Sequence, residues 1–352
     1  MMPTPDSRAL EAFDALLVIS FGGPEQIEDV VPFLENVLRG KNVPRERLLE
    51  VAEHYYHFGG KSPLNGQTRA LIAALASELK ARGPVLPIYW GNRNWHPMLA
   101  DTLRQMRADG IHKALAFATS AFGSYSGCRQ YREDIERARA EVGPGAPQVE
   151  KLRTFHDHPG FIQAMAGRVH DALGRIPAGS RASAPLFFTA HSIPISMAET
   201  SPYVAQLEEA CGLVSQILGI NGTLVYQSRS GAPTQPWLEP DICDAIRQLH
   251  ARGGLTDVVV APIGFLSDHM EVVYDLDTQV AALCQELGVN LFRAGTVGLD
   301  PAFVEMVREL IVERTEGSAE RHSGLLRAAC ASCGPDCCAA PGRPAIKSGE
   351  TP

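Results

Sequence analysis

The chain has 352 residues and a formal net charge of −8. That is too long for one small core and too acidic, without any basic run, for nucleic acid or an anionic membrane to be its main partner. A small molecule is the default ligand. The first twenty residues, MMPTPDSRALEAFDALLVIS, carry acids where a secretory signal needs basic residues, and no stretch approaches about 18 unbroken apolar residues. A cytoplasmic protein without stable membrane insertion, and a monomer, is the expectation.

Short apolar runs alternate with amphipathic segments, the pattern of βαβ units building parallel sheet. In chain order the predicted strands are 15–20, 87–91, 113–119, 185–190, 223–228, 257–263 and 290–295. Helices are predicted over 66–83, 161–176, 203–219 and 271–288, several ending at glycine as a left-handed C-terminal cap requires. LLVISFGGP near the start and LFFTAHSIP near the middle share one plan: an apolar run, small or polar residues, then proline. The predicted fold is therefore α/β, two similar doubly wound, Rossmann-like parallel-sheet halves with a central cleft. The expected division is 1–165, 166–316 and a cysteine-rich tail over 317–352, whose Gly, Ala, Pro and Ser cannot build a core without docking or a metal.

Ligands of open parallel sheets bind beyond the carboxyl ends of the strands. His191 falls there, after 185-PLFFTA-190 and before Ser192 and Pro194. A histidine within a strand is usually a packed core residue; one at the strand exit favours function. The stretch 261-APIGFLSDHMEVVYDLDTQV-280 also leaves a strand and enters a helix. Asp268, Glu271 and Asp275 are spaced to share one helical face, where carboxylates bind a cation or relay protons. The competing reading is a capping box, Asp268-x-x-Glu271, with acids favoured by the helix dipole. His191 and Glu271 at corresponding exits favour a pair facing one cleft.

Other loops could hold an organic ring. The segment 54-HYYHFGGKSPLNGQ-67 clusters aromatics with Ser62, although aromatics in a long loop can equally cover a core edge. Arg229 and Trp237 are expected at the cleft rim, and Tyr131 follows a hydroxyl-rich loop. Of eight cysteines, Cys211, Cys243 and Cys284 read as buried hydrophobes. Cys330, Cys333, Cys337 and Cys338 crowd together in CxxC-x4-C spacing, which favours thiolate ligation of zinc or an iron–sulfur cluster. Cys128 is a possible distant fourth ligand.

Together the motifs LLVISFGGPE, FGGKSPLNGQT, TAHSIP, QSRSGAPTQPWLEPD and GFLSDHMEVVYDLD resemble the ferrochelatase family over roughly residues 14–312, most closely its actinobacterial branch. That resemblance implies a lyase inserting Fe(2+) into a porphyrin in heme biosynthesis, coproporphyrin III in this branch, with protoporphyrin IX as the nearest rival substrate and a non-catalytic porphyrin carrier as the rival class. It puts His191 and Glu271 in the catalytic, iron-contacting positions, and Arg39, Tyr55, Ser62 and Tyr131 against the macrocycle. It implies a [2Fe-2S] cluster on Cys128, Cys330, Cys333 and Cys338, with Cys337 a rival for the last place. Where some relatives carry a tyrosine as axial iron ligand, this chain has Phe21, which cannot ligate.

Overall fold

The structure, a computed structural model, describes residues 12–40, 43–231, 234–326 and 337–339. Its strands are β1 (Ala15–Ser20), β2 (Ile88–Asn92), β3 (Lys113–Ala118), β4 (Gln148–Lys151), β5 (Leu186–His191), β6 (Gly222–Gln227), β7 (Asp257–Ala261) and β8 (Asn290–Arg293). They form two four-stranded parallel sheets, ordered β2-β1-β3-β4 and β6-β5-β7-β8. The two orders are the same topology repeated, so the α/β prediction of two similar halves holds. Each predicted strand is present. β4 was not predicted: Gln-Val-Glu-Lys has no apolar run, and only its pairing along the edge at β3 makes it a strand.

The connecting helices are α1 (Val30–Val37), α2 (Arg45–His57), α3 (Leu64–Arg82), α4 (Leu99–Ala108), α5 (Gln130–Val142), α6 (Pro159–Gly174), α7 (Ile195–Ala198), α8 (Tyr203–Leu218), α9 (Ile242–Ala251), α10 (Met270–Tyr274), α11 (Ala281–Leu287) and α12 (Pro301–Thr315). The helix predicted over 271–288 is interrupted, with a π-helical segment, Asp275–Val280, between α10 and α11. Such segments are rare and concentrate at functional sites. No helix among the described residues is long and apolar enough to cross a membrane.

β1 is buried along its whole length, as a strand covered on both faces must be. Alternate residues divide the core. Leu16 and Val18 of β1 join Leu186, Phe188 and Ala190 of β5 in one cluster, completed by Phe161 of α6 and Phe303 of α12. Ala15, Leu17 and Ile19 face a second cluster with α4 and α5, and Phe187, Val258 and Val260 face a third. α1 and α2 form a fourth, separate cluster around Phe33, Leu34 and Leu48. The two sheets thus share one hydrophobic interior, while the α1–α2 pair carries its own.

Beyond α12 the chain doubles back on the body. Arg153 makes a buried, two-toothed ion pair with Glu313 at 2.8 and 2.9 Å and also donates to the Arg321 carbonyl at 3.0 Å. Polar docking, rather than apolar packing, orders the tail here, as its composition requires.

Candidate active site

In a sheet ordered β6-β5-β7-β8, the connections diverge between β5 and β7, and a crevice opens beyond their carboxyl ends. His191 is the last residue of β5, level with Gln227 at the end of β6. The turn that follows is pinned from outside. Ser192 Oγ donates to the Leu238 carbonyl at 2.8 Å, Leu238 N donates to the Ile193 carbonyl at 3.0 Å, and Ile195 N donates to the Pro236 carbonyl at 3.1 Å. Trp237 is buried opposite Pro194, so the loop expected at the rim props the His191 turn from beneath.

The imidazole is oriented by its own neighbourhood. His191 Nδ1 is in hydrogen-bond contact with the Ser192 carbonyl at 2.5 Å, which requires the proton on Nδ1 and leaves a lone pair on Nε2 in the neutral ring. The buried Tyr203 hydroxyl donates to the His191 carbonyl at 3.0 Å, holding the backbone at the strand exit. Nε2 stands 3.6 Å from Glu271 Oε1. Both groups reach solvent, with side chains 31% and 51% exposed.

Glu271 is brought there by the exit of β7. Gly264 N donates to the Thr189 carbonyl at 3.0 Å, and a Cβ on Gly264 would lie 2.7 Å from Ala190 Cα, so only glycine lets the loop pass this close to β5. Asp268 does not join Glu271 and Asp275 on a helical face. It precedes the helix, its carboxylate is paired with Arg293 of β8 at 2.9 Å, and its backbone N–H donates to Gln67 Oε1 at 2.9 Å. Nor does it cap α10: His269 does, its Nδ1 accepting from Glu271 N at 3.2 Å. Glu271 consequently lies between two imidazoles, with His269 Nδ1 3.9 Å from Oε2.

The sequence reading did not single out His269, Gln227 or Ser228. Gln227 Nε2 donates to Asp275 Oδ2 and to the Glu271 carbonyl, both at 3.3 Å, and the Ser228 hydroxyl donates to the same Asp275 oxygen. Ser228 has φ 62°, a left-handed conformation uncommon for serine, directly after β6. Its position directly after the exit of β6, one residue beyond the level of His191, was the available signal.

These contacts set the electrostatics. Burial alone would lower the His191 pKa, but the Glu271 carboxylate, with the Ser192 carbonyl and Asp275, raises it above the ordinary imidazole value. His269 is shifted the other way, by burial that Glu271 only partly offsets. Asp275 is raised to about 6 by burial, with the Glu271 charge adding to it and Ser228 opposing.

The facing wall comes from the first half. His54 of α2 stacks on Tyr274 of α10, ring centroids 3.7 Å apart and planes within 11°. Tyr55, its hydroxyl pKa raised by burial and by Glu271, lies beside this stack and packs edge-on against Phe33. Arg39 is exposed just beyond α1, held by Asn36 Oδ1 at 2.5 Å. Ser62 is buried, its hydroxyl accepting from Leu64 N at 3.3 Å. Tyr131 is buried beneath Arg93, whose guanidinium sits 4.6 Å from the ring centre and pairs with buried Asp134. The exposed ring at the exit of β1 is Phe21, 37% exposed. His191, Glu271 and Tyr55 are thus brought together, while Ser62 and Tyr131 lie behind the surface.

Cys128 is buried in a π-helical turn, Tyr125–Arg129, that leads into α5. Arg129 Nη1 donates to the Cys337 carbonyl at 3.2 Å, which docks the tail next to Cys128. Cys338 is buried, and its sulfur lies 3.9 Å from that of Cys337. Cys330 and Cys333 lie outside the described residues.

Two four-stranded parallel sheets of repeated topology make a chelatase-type fold. The solved structure of the sirohydrochlorin chelatase SirB from Bacillus subtilis subspecies spizizenii, in complex with cobalt, shares this fold, with a TM-score of 0.52 and 11% identity over 86% of this chain and 95% of that one. The chain belongs to the ferrochelatase family, whose model matches residues 13–315. It is 56% identical to the ferrochelatase of Rhodopirellula baltica over 97% of this chain and 98% of that one. It is 51% identical to the coproporphyrin III ferrochelatase of Nocardia farcinica (95% and 99% covered) and 47% identical to that of Streptomyces coelicolor (99% of each).

Proposed function

We propose that this protein inserts Fe(2+) into coproporphyrin III to form coproheme, with His191 and Glu271 as the catalytic pair. The observation that carries the reading is the 3.6 Å approach of His191 Nε2 to Glu271 at the crevice of the second sheet. Metallation replaces two pyrrole N–H protons by one dication, so a base must face the ring as the ion enters. The neutral imidazole has its lone pair on Nε2 and accepts the first proton. Glu271, exposed to the cleft, contacts the iron and takes the second proton, and Asp275, with a pKa of about 6, receives protons near neutral pH. Net charge in the ring cavity is unchanged, because two protons leave for each Fe(2+) gained. Arg39 would serve a propionate and Tyr55 the ring edge; Ser62 and Tyr131 would do so only after a movement that exposes them.

Coproporphyrin III is preferred over protoporphyrin IX because it appears in the names of the Nocardia and Streptomyces relatives. Anaerobic Fe(2+) insertion, with the two porphyrins offered in parallel, tests this. Faster metallation of coproporphyrin III is expected; a preference for protoporphyrin IX reverses the substrate, and binding of either without turnover indicates a carrier.

Cys128, Cys330, Cys333 and Cys338 are further proposed as ligands of a [2Fe-2S] cluster. Burial of Cys128 and Cys338, and the docking of Cys337 on Arg129, fit a thiolate-ligated centre. Such a centre would supply covalent cross-linking of tail to body, and redox sensitivity to that cross-link. Iron and acid-labile sulfide present in the purified protein and lost in Cys128→Ser would support it; their absence from protein purified anaerobically would end it.

A further inference from the structure

A second group of metal-ligating side chains lies away from the cleft, where the tail meets the body. His156 and Asp157 sit in the turn before α6, fully buried, and Glu209 projects from α8. One donor atom from each of the three falls within 4.8 Å of the others. His156 Nε2 contacts Glu209 Oε2 at 3.0 Å. On the other side of the ring, His156 Nδ1 and Asp157 Oδ1 are 3.9 Å apart, and both atoms are buried without a hydrogen-bond partner.

Unpartnered buried polar atoms are disfavoured, and a buried nitrogen and carboxylate oxygen facing each other at this separation call for a third body. The distance is too long for a hydrogen bond. It lies within the span of a single ion, since two bonds of about 2.1 Å reach at most about 4.2 Å. An imidazole nitrogen beside a carboxylate oxygen matches a divalent first-row ion in donor type, zinc above all; calcium and magnesium prefer oxygen alone.

The remaining donors of this group are already oriented. His322 Nδ1 bonds the second Asp157 oxygen at 3.0 Å, and Glu209 Oε1 accepts from Leu325 N and Leu326 N at 2.6 and 2.8 Å. Those partners all belong to the tail segment preceding Cys330. An imidazole whose other nitrogen meets a carboxylate, as His156 Nε2 meets Glu209, and a carboxylate whose second oxygen is bonded, as His322 bonds Asp157, are the usual outer-shell arrangement of a metal site.

We infer that His156, through Nδ1, and Asp157 bind a divalent transition ion of the zinc class, with Glu209 on His156 Nε2 and His322 on the second Asp157 oxygen as outer-shell support, at a site separate from His191 and Glu271. An ion there would clamp residues 322–326 onto α8 and the turn before α6.

The test is titration of the full-length protein with Co(2+), which reports its donors: thiolates give intense near-ultraviolet charge-transfer bands, nitrogen and oxygen only weak visible ones. In the His191→Ala, Glu271→Gln background, which removes both proposed iron-contacting side chains of the cleft, one equivalent with weak visible bands is expected. Asp157→Asn should abolish that equivalent, and His322→Ala should weaken it by about 10- to 100-fold. The inference is overturned if the His191→Ala, Glu271→Gln parent takes up no Co(2+) outside thiolate sites, or if Asp157→Asn and His322→Ala made in it both bind as tightly as that parent. Should Asp157→Asn fail to fold, His322→Ala decides, because its partly exposed side chain can be removed without emptying the core.

Discussion

Gln227 ends β6 level with His191 at the end of β5, and its side-chain amide reaches across to Asp275 and to the Glu271 carbonyl. One residue thus ties the exit of one strand to the helix that carries the acid, so the His191–Glu271 distance is set by secondary structure rather than by a free loop. With the geometry fixed this way, His191→Ala should remove the proposed base and little else. Iron insertion should fall by about 10²- to 10⁴-fold, measured anaerobically, with circular dichroism unchanged.

The acid limb of the rate against pH should report His191. Its raised pKa means the neutral, accepting imidazole predominates only above a pH higher than the ordinary value of about 6.5, and insertion should climb as pH rises through that region. Glu271→Gln removes the charge that lifts this pKa. The variant should be slower throughout, with its acid limb displaced to lower pH; an unmoved limb would assign the titration to another group.

Asp275 offers a check on stability instead of rate. Its folded pKa, about 6, exceeds the ordinary carboxyl value, so the native state binds the extra proton and stability declines as pH rises from about 4 to 6. Asp275→Asn keeps an acceptor for Ser228 without the charge. Its melting temperature relative to wild type should therefore increase across that same window, in scans at matched ionic strength.

Gly264 gives a purely geometric prediction. A methyl group at this position meets Ala190 Cα at 2.7 Å, one residue before His191, and must push the two strand exits apart. A shift of about 1 Å in such a pair can cost about 10²-fold in rate. Gly264→Ala should thus lose kcat out of proportion to KM, and a variant with wild-type kcat would show that the close approach does not matter.

Arg153 and Glu313 predict the behaviour of the tail. Removing one partner of a buried pair strands the other charge, at a cost of about 3–5 kcal/mol. Arg153→Ala should lower the free energy of unfolding by that amount, read from denaturant titration, and expose the segment near Arg321 to protease, because the same guanidinium holds the Arg321 carbonyl.

Much of this molecule could be read from its sequence, for local reasons. β1, β5 and β7 announce themselves as apolar runs, and His191 and Glu271, which approach to 3.6 Å, were singled out because a strand exit is visible without knowing what it faces. What depends on distant partners was not legible. Asp268 left the predicted helical face for Arg293, β4 exists only through β3, and His156 reads as an ordinary core histidine until α8 brings Glu209 beside it. Trp237 was expected at the rim because turn residues surround it; burial against the His191 turn reassigned it to support.

The division of the apolar clusters has a mechanical consequence. Because Leu16 of β1 and Phe188 of β5 share one interior, the sheets cannot swing apart without breaching it, so the floor of the cleft is rigid. α1 and α2 are anchored in a cluster of their own and meet α10 through the His54–Tyr274 stack. α1 and α2 are therefore held to the second half by less than the sheets are held to each other, and amide exchange should be faster in α2 than in β5.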